Sequence, residues 1–397
     1  MTDEGRLRHP AYLGVREDKS EIGRVAGLKR ARAADGVQAR GRSSSGAAAR
    51  AAYDAASMEA PGTAAIVDQL DALEKSRKDG RISLPGGDTL DVTNLQKVFW
   101  PDIGRTKGDL LRYYAKIAPL ILPVVNDRPL VMKRLPNGVN AKAFYQHRAP
   151  EPVVPGVRIE TLPNDDVPAR LIGGSLRTLL YMAQLASISM DPWFSTMDDL
   201  DSADQVAIDL DPQPGATFDQ ILDVARWVHE VLERVNVRGY PKTSGAEGLH
   251  IFIPLPPHTP YEAGMLFCQI VATVVATRHP KEATVERKVK ARRRGTVYVD
   301  YLQNILGKTL ATGYSARASS FAGVSTPLEW KEIDDAIDPR DFTIRTAPER
   351  FATVGDVWAR LRSAKPANLE AVFEKYMPSS AARRAESSTG SAGSSWC

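Results

Sequence analysis

The stretch "QVAIDLDPQPGATF" at residues 205–218 guides the interpretation of the whole chain. Aliphatic residues alternate along it with Asp209 and Asp211 at the two-residue period of a β-strand. The two carboxylates therefore project from one face of the strand, while the aliphatic side chains bury the other. Two like charges on one face repel each other, and a divalent cation between them is a common reason for such a pair. The alternative is a solvated strand end that enters a turn, because "DPQPGATF" is rich in turn residues.

The composition is that of a folded globular protein, with 397 residues, 43% of them hydrophobic and 25% charged. The 52 basic and 48 acidic residues leave a formal net charge of +4, so binding to nucleic acid must depend on local patches. The only two cysteines, Cys268 and Cys397, exclude a disulfide framework and a cysteine zinc site. No apolar run approaches the ~18 residues of a membrane span, so we expect no membrane partner and a cytoplasmic protein.

Three regions are expected along the chain. Residues 1–60 include "GLKRARAADGVQARGRSSSGAAAR", which has few large apolar residues and predicts a disordered basic tail. A passive tail is favoured there over a nucleic-acid-binding arm. Residues 64–378 are expected to form a single folded domain, and residues 379–397 a flexible C-terminal tail.

Helical and strand patterns are mixed within the folded region. The segments "TKGDLLRYYAKIAPLIL" and "TFDQILDVARWVHEVLERV" have the apolar spacing of amphipathic helices. The segments "RPLVMKRL", "QVAIDLDP", "GLHIFIPL" and "TVYVDYLQ" are rich in β-branched or aromatic residues and predict strands. Because no regular βαβ rhythm is present, the sequence predicts an α+β (mixed α/β) fold rather than a Rossmann fold or a barrel.

A second informative stretch is "KTSGAEGLHIFIPL" at residues 242–255, where a Ser-Gly-x-x-Gly turn leads into a strand that carries His250. Backbone N–H groups in such a turn can approach an anion closely, and Ser244 and His250 can add side-chain donors. The pattern suits a phosphate cradle, although a plain hairpin with a structural histidine is the alternative. The glycine spacing is neither that of a Walker A loop nor that of a dinucleotide fingerprint.

A third stretch, "KVKARRRGTVYVDYLQN" at residues 288–304, places a basic run before a strand that carries Asp300. A solvated loop is the alternative for the basic run. Together the three stretches supply two acids on one strand, a phosphate-cradle turn with a histidine, and a third acid behind arginines. Two-metal nucleotidyl transfer needs such a set, because carboxylates bridge the metal ions while Arg and His neutralise triphosphate charge.

Several motifs occur in an order that closely resembles the polymerase domain of bacterial ligase D, a branch of the archaeo-eukaryotic primase superfamily. They are "VTNLQKVFWP", "TKGDLLRYY", "KRLPNGVNAKAFYQH", "AIDLDP", "KTSGAEGLH", "VDYLQN", "YSARA" and "VSTPLEW", over about residues 88–360. The resemblance implies a primase-type catalytic core with mixed sheets and an RRM-like element. It also implies a template-directed primase-polymerase that fills short gaps or extends primers in DNA repair and end joining, using NTPs or dNTPs with Mn²⁺ or Mg²⁺.

The resemblance assigns roles to individual residues. The metal-binding catalytic acids are Asp209, Asp211 and Asp300. The nucleotide-binding residues are Ser244, Gly245 and His250, with either Arg292 or Arg293 as a helper. The residues that bind the 5′-phosphate of the downstream DNA strand are Asn94, Lys97 and Lys107, and the aromatic pair that stacks on the template is Phe144 and Tyr145.

Two positions depart from the family pattern and make the site more acidic. Glu247 replaces a basic residue of the Ser-Gly turn, and Asp191 stands where a triphosphate-binding histidine is expected. An end-binding module with weakened catalysis and a dedicated primase therefore remain alternatives. The run "KSRKDGRISL" resembles a nucleotidyl-lysine motif, but Arg77 occupies the lysine position. We accordingly expect a stand-alone polymerase that acts on gapped, nicked or broken DNA at the nucleoid, beside a separate DNA ligase and an end-binding protein.

Overall fold

The computed structural model describes residues 62–163, 165–335 and 337–376, so both predicted tails lie outside the described residues. The α-helices in the described part are α1 (Thr63–Ser76), α2 (Lys107–Val125), α3 (Leu176–Gln184), α4 (Phe218–Glu233), α5 (Tyr261–Arg278), α6 (Trp330–Asp334), α7 (Ala347–Val354), α8 (Ala359–Arg362) and α9 (Leu369–Tyr376). None of these helices combines the length and apolar character needed to cross a bilayer.

The strands are β1 (Gly80–Ser83), β2 (Thr89–Val92), β3 (Val98–Trp100), β4 (Arg105–Thr106), β5 (Pro129–Arg134), β6 (Phe144–Gln146), β7 (Ile159–Glu160), β8 (Arg170–Ile172), β9 (Asp191–Pro192), β10 (Ser202–Pro212), β11 (Tyr240–Thr243), β12 (Leu249–Pro260), β13 (Ala283–Thr284) and β14 (Val297–Asp300). One five-stranded sheet has the order β11-β12-β10-β14-β13. A second sheet has the order β6-β5-β8-β7, with β9 also paired to β5, and β1–β2 and β3–β4 form two separate pairs.

Strand β10 lies at the centre of the first sheet, between β12 and β14, and one of its faces is buried beneath helices. Val206, Ile208 and Leu210 are fully buried on that face, where α4 and α5 pack. Helix α4 is amphipathic and begins at Thr217, whose side chain forms a capping box with Gln220. The predicted alternation of the strand thus turns its acidic positions away from the helices.

The register of the first sheet aligns four polar residues across four strands. Asp209 on β10 pairs with His250 on β12 and with Asp300 on β14, while Lys242 on β11 pairs with His250. Past the end of β14, Asn304 continues the pairing with β10. Its side-chain Oδ1 accepts from the N–H of Ala207 at 2.8 Å, and its Nδ2 donates to the carbonyl of the same residue at 2.8 Å.

Helix α2 organises the rest of the described chain. It begins with a capping box between Thr106 and Asp109, as expected for the "TKGDLLRYY" segment. It packs against α1 on one side and α3 on another, and its two tyrosines, Tyr113 and Tyr114, are buried. The combination of helices with mainly antiparallel sheets is the predicted α+β architecture.

Candidate active site

Three carboxylates meet where β10 and β14 run side by side. Oxygen atoms of Asp209, Asp211 and Asp300 all lie within 4.8 Å of one another. Asp209 and Asp300 are buried, and Asp211 is the most exposed of the three. The N–H of Leu302 and the side-chain amide of Gln303 donate to Asp300 at 2.7 and 2.9 Å, which orients this carboxylate toward the other two.

The electrostatics of the cluster fit a divalent cation. Burial, and after it the charge of Asp300, raises the pKa of Asp209 to about 7. Burial and the charges of the other two acids raise the pKa of Asp211 to about 7 as well. Oδ1 of Asp209 is buried and has no well-aligned hydrogen bond among the described residues, although Nε2 of His250 lies 3.1 Å away. An all-oxygen donor set with an unsatisfied buried oxygen is what hard cations such as Mg²⁺ and Mn²⁺ prefer.

A fully buried lysine, Lys242, lies in the same row of paired residues across the sheet as His250, Asp209 and Asp300. Nζ of Lys242 lies 2.8 Å from Nδ1 of His250, and Nε2 of His250 lies 3.1 Å from Oδ1 of Asp209. Nζ also donates to Oγ of Ser325. Burial, followed by nearby positive charge, lowers the pKa of both Lys242 and His250 well below their ordinary values.

These contacts define which ring nitrogen of His250 carries the proton. The hydroxyl of Ser325 donates to the carbonyl of Thr243 at 3.0 Å, so its oxygen must accept from Lys242. A lone pair on Nε2 would face the carboxylate of Asp209 at 3.1 Å, whereas an N–H there is attracted to it. With Asp209 ionised, His250 is therefore the Nε2–H tautomer, and Nδ1 accepts from Lys242 in either charge state of the lysine.

The Ser-Gly turn is packed tightly beside this row. Oγ of Ser244 accepts from backbone N–H groups two and four positions later, at 3.1 and 3.0 Å. Gly245 has a φ of +75°, and a Cβ atom at this position would lie 2.9 Å from the N atom of Ser325 and 2.4 Å from Cγ of Arg317. Only glycine satisfies both constraints, so this turn holds its shape against the segment that carries Arg317.

The two candidate arginines are placed differently. The guanidinium of Arg292 lies over the ring of Tyr298, 3.4 Å from its centroid, and its charge lowers the pKa of Asp211. Arg293 donates instead to the carbonyl of Pro280 and is exposed. The structure thus brings Arg292 to the carboxylates and leaves Arg293 farther along the loop.

Sequence reasoning missed two cations of the site. The charge of Arg317 lowers the pKa of Asp209, Asp211 and His250, so this side chain belongs to the electrostatic surroundings of the cluster. Its signal was present in the "YSARA" motif. The second missed cation is Lys242, which opens the "KTSGAEGLH" motif but could equally have been a surface residue.

The structure also accounts for one of the two departures from the family pattern. Asp191 is buried, accepts from Oγ of Ser189 at 2.7 Å, and interacts electrostatically with Arg317 and Lys242. A carboxylate at this position offsets the charges of a buried lysine and a half-buried arginine that would otherwise repel each other. Glu247 is exposed at the tip of the turn, and no ion pair involves it among the described residues.

The three residues predicted to bind a 5′-phosphate lie together near the start of α2. Backbone bonds link them, since the N–H of Lys97 donates to Asn94 at 3.0 Å and the N–H of Lys107 donates to Lys97 at 2.8 Å. Burial lowers the pKa of Lys107 to about 8, and the charges of Lys97 and Arg134 act in the same direction. Three cations in mutual repulsion at one place suit an anion such as phosphate.

The aromatic pair lies on β6 at the edge of the second sheet. The side chains of Phe144 and Tyr145 are 45% and 63% exposed, which is unusual for large rings without a partner. Arg134 lies over the ring of Phe144 at 5.3 Å and Lys133 over the ring of Tyr145 at 5.9 Å. The charge of Arg134 also lowers the pKa of Lys107, so the aromatic pair and the phosphate-binding residues are neighbours.

Comparison with known proteins agrees with this geometry. The family model for the LigD primase-polymerase domain matches residues 106–358. The bifunctional non-homologous end joining protein LigD of Bacillus subtilis is 29% identical over 276 residues, which are 69% of this chain and 44% of the relative. The multifunctional LigD protein of Mycolicibacterium smegmatis is 30% identical over 281 residues, which are 69% of this chain and 36% of the relative. The chain thus spans less than half the length of these curated relatives.

A solved structure shows the same fold. The polymerase domain of Mycobacterium tuberculosis ligase D, determined in complex with DNA, matches with a TM-score of 0.64 and 29% identity, over 70% of this chain and 99% of that one. The predictions of a ligase D-type polymerase domain and of a primase-type α+β core are confirmed. With its family model matched over most of the described residues, this chain belongs to the LigD primase-polymerase domain family.

Proposed function

We propose that this chain is a template-directed polymerase that adds NTPs or dNTPs to a primer across short gaps in DNA. The observation that carries this proposal is the meeting of Asp209, Asp211 and Asp300 beside a phosphate-cradle turn. The fold is that of a polymerase domain solved with DNA, which supports the same substrate class here.

The three carboxylates would hold divalent cations, which we propose to be Mn²⁺ or Mg²⁺. When bound, such ions activate the primer 3′-hydroxyl and stabilise the leaving pyrophosphate. Oγ of Ser244 already accepts from the N–H groups of Ala246 and Gly248, so the turn would offer the triphosphate its remaining N–H groups, such as that of Gly245. Nε2 of His250 would add a donor beside Asp209. Arg292 and Arg317, whose charges both act on Asp211, would neutralise the remaining phosphate charge.

The DNA is proposed to carry a 5′-phosphate on the strand downstream of the gap. Asn94, Lys97 and the buried Lys107 supply the donors and charge for that phosphate. Exposed Phe144 and Tyr145 offer ring faces on which template bases stack. Such substrates arise during end joining at the nucleoid, where a separate DNA ligase and an end-binding protein would complete the repair.

Extension of a labelled primer on a short gap with a 5′-phosphate tests the proposal. Mn²⁺ is compared with Mg²⁺ and NTPs with dNTPs, beside a variant carrying Asp209→Ala and Asp211→Ala. Template-matched extension that the variant loses supports the polymerase and reports its sugar and metal preference. Gap binding without extension in either metal would contradict it and identify an end-binding module. Extension that begins without any primer would identify a primase.

A further inference from the structure

Helix α1 ends in a group of exposed cations that the polymerase chemistry does not use. Lys75, Arg77 and Lys78 are all exposed, and no described residue forms an ion pair with any of them. They belong to the run "KSRKDGRISL", which resembles a nucleotidyl-lysine motif without its lysine. The helix also precedes residues 106–358, where the family model matches, so the family match assigns it no role.

The end of the helix gathers these cations on one short turn. Arg77 adopts a left-handed conformation with a φ of 54°, and its N–H donates to the carbonyl of Glu74 at 3.1 Å. The N–H of Lys78 then donates to the carbonyl of Leu73 at 3.2 Å. Attraction to the helix dipole accounts for a cation in the last turn, such as Lys75, but not for two more beyond the helix end.

Helix α1 is anchored to the start of α2, next to the phosphate-binding residues. The carboxylate of Glu74 accepts from Oγ1 of Thr106 at 2.8 Å and from Nη1 of Arg112 at 2.5 Å. Gly108 permits this approach, because a Cβ atom there would lie 2.7 Å from Oε1 of Glu74. The anchor fixes the position of the cations relative to Lys107, the first residue of α2.

A second link joins the turn directly to the phosphate-binding residues. Oδ1 of Asp79 accepts from the backbone N–H of Asn94 at 2.7 Å, and the charge of Asp79 raises the pKa of Lys107. Lys78 is the chain neighbour of Asp79, so the basic turn borders the predicted 5′-phosphate site. Beyond it, Arg81 is paired with Asp91 at 2.6 Å, which limits the unpaired cations to residues 75–78.

We propose that Lys75, Arg77 and Lys78 bind the phosphodiester backbone of the duplex downstream of the gap. This inference rests on the proposed function, because it extends the same DNA beyond its 5′-phosphate. Three long cationic side chains on one short turn can reach successive phosphates of one strand, which follow at about 3.4 Å of axial rise. Arginine and lysine contacts of this kind add affinity without reading sequence.

The test uses the full chain with Lys75→Gln, Arg77→Gln and Lys78→Gln combined. The matched control combines Arg278→Gln, Lys281→Gln and Lys331→Gln, which also removes two lysines and one arginine, all exposed and without ion pairs among the described residues. Affinity is measured for gaps with a 5′-phosphate whose downstream duplex is about 4 or about 14 base pairs long, over a range of salt concentrations. Thermal unfolding confirms that each variant is folded.

The variant that combines Lys75→Gln, Arg77→Gln and Lys78→Gln is called the patch variant. We expect the wild type and the control to bind the long downstream duplex more tightly than the short one, and the patch variant to lose this difference. Each lost phosphate contact lowers the slope of log affinity against log salt by about 0.9, so three contacts lower it by about 2.7. The preference for a 5′-phosphate over a 5′-hydroxyl should persist in the patch variant. A patch variant with the slope and length dependence of the wild type would overturn the inference while leaving the proposed function intact. A wild type that binds no gapped DNA would overturn both.

Discussion

Replacement of Asp209 by asparagine should stabilise the metal-free protein while it abolishes catalysis. The carboxylate is 6% exposed, close to two other acids, and one of its oxygens has no well-aligned hydrogen bond among the described residues. Asparagine keeps the shape of the side chain and an oxygen 3.1 Å from Nε2 of His250 but removes the charge. The difference in unfolding free energy between the two proteins therefore reports the cost of burying a charged carboxylate, because the packing is unchanged.

The magnitude follows from the shift in the pKa of Asp209 from its ordinary 3.8 to about 7. A shift of this size corresponds to about 4 kcal/mol of lost stability once the group is ionised in both states, at 1.36 kcal/mol per pH unit. Between these two pH values the folded state binds more protons than the unfolded state. The free energy of unfolding of the wild type therefore falls as the pH rises from about 4 to about 7, and it falls no further from this cause above pH 7.

Thermal and urea unfolding in the presence of a chelator measure this effect for the wild type and Asp209→Asn at pH 4.5 and pH 8. The variant should gain up to about 4 kcal/mol over the wild type at pH 8, and little of that gain should remain at pH 4.5. Addition of Mn²⁺ should raise the wild-type Tm, because a ligand that binds only the folded state stabilises it. The variant should respond much less.

Two results would refute the reasoning. Equal stability of the two proteins at pH 8 without metal would mean that the buried charge of Asp209 is not a source of instability. A gain that is the same at both pH values would point to a packing effect instead of an ionised carboxylate.

Three further changes are expected to have distinct readouts. Lys242→Met should raise the pKa of His250, seen in an NMR pH titration of the metal-free protein, because the charge of Lys242 lowers that pKa. Asn304→Ala should lower the free energy of unfolding by about 3 kcal/mol in urea, because a buried N–H and C=O of β10 lose their partner. The preference for a 5′-phosphate over a 5′-hydroxyl should fall about tenfold between pH 7 and pH 9, because the pKa of Lys107 is about 8 and the lysine loses its charge above that pH. A binding preference that does not change with pH would contradict the role of Lys107 in binding the 5′-phosphate.

Much of the fold could be predicted because the local signals were strong. Helix α4 combines a wide apolar stripe with a capping box at Thr217, and β10 has Val206, Ile208 and Leu210 at every second position. The period-two pattern also placed Asp209 and Asp211 on one face, away from the helices. These features depend only on residues near one another in the chain, so periodicity is sufficient to detect them.

The missing parts of the site depend on contacts between distant segments. Lys242 becomes a buried partner of His250 only because β11 pairs with β12 in one register, which a sequence pattern does not specify. Arg317 acts on the carboxylates from a segment with little regular structure, so no periodicity marks it. The role of Asp191 could be recognised only after Lys242 and Arg317 were located, since its carboxylate offsets their charges.

Single-turnover incorporation of one template-matched nucleotide into a gap with a 5′-phosphate, by Asp300→Asn beside Asp219→Asn, tests the central claim most directly. Asp300 lies in the carboxylate cluster, whereas Asp219 is exposed in the first turn of α4. We predict that Asp300→Asn lowers the rate by about 10³-fold or more, since several kcal/mol of metal-dependent stabilisation are lost, while Asp219→Asn retains the wild-type rate. Equal rates for the two variants would contradict a polymerase whose chemistry depends on the three carboxylates.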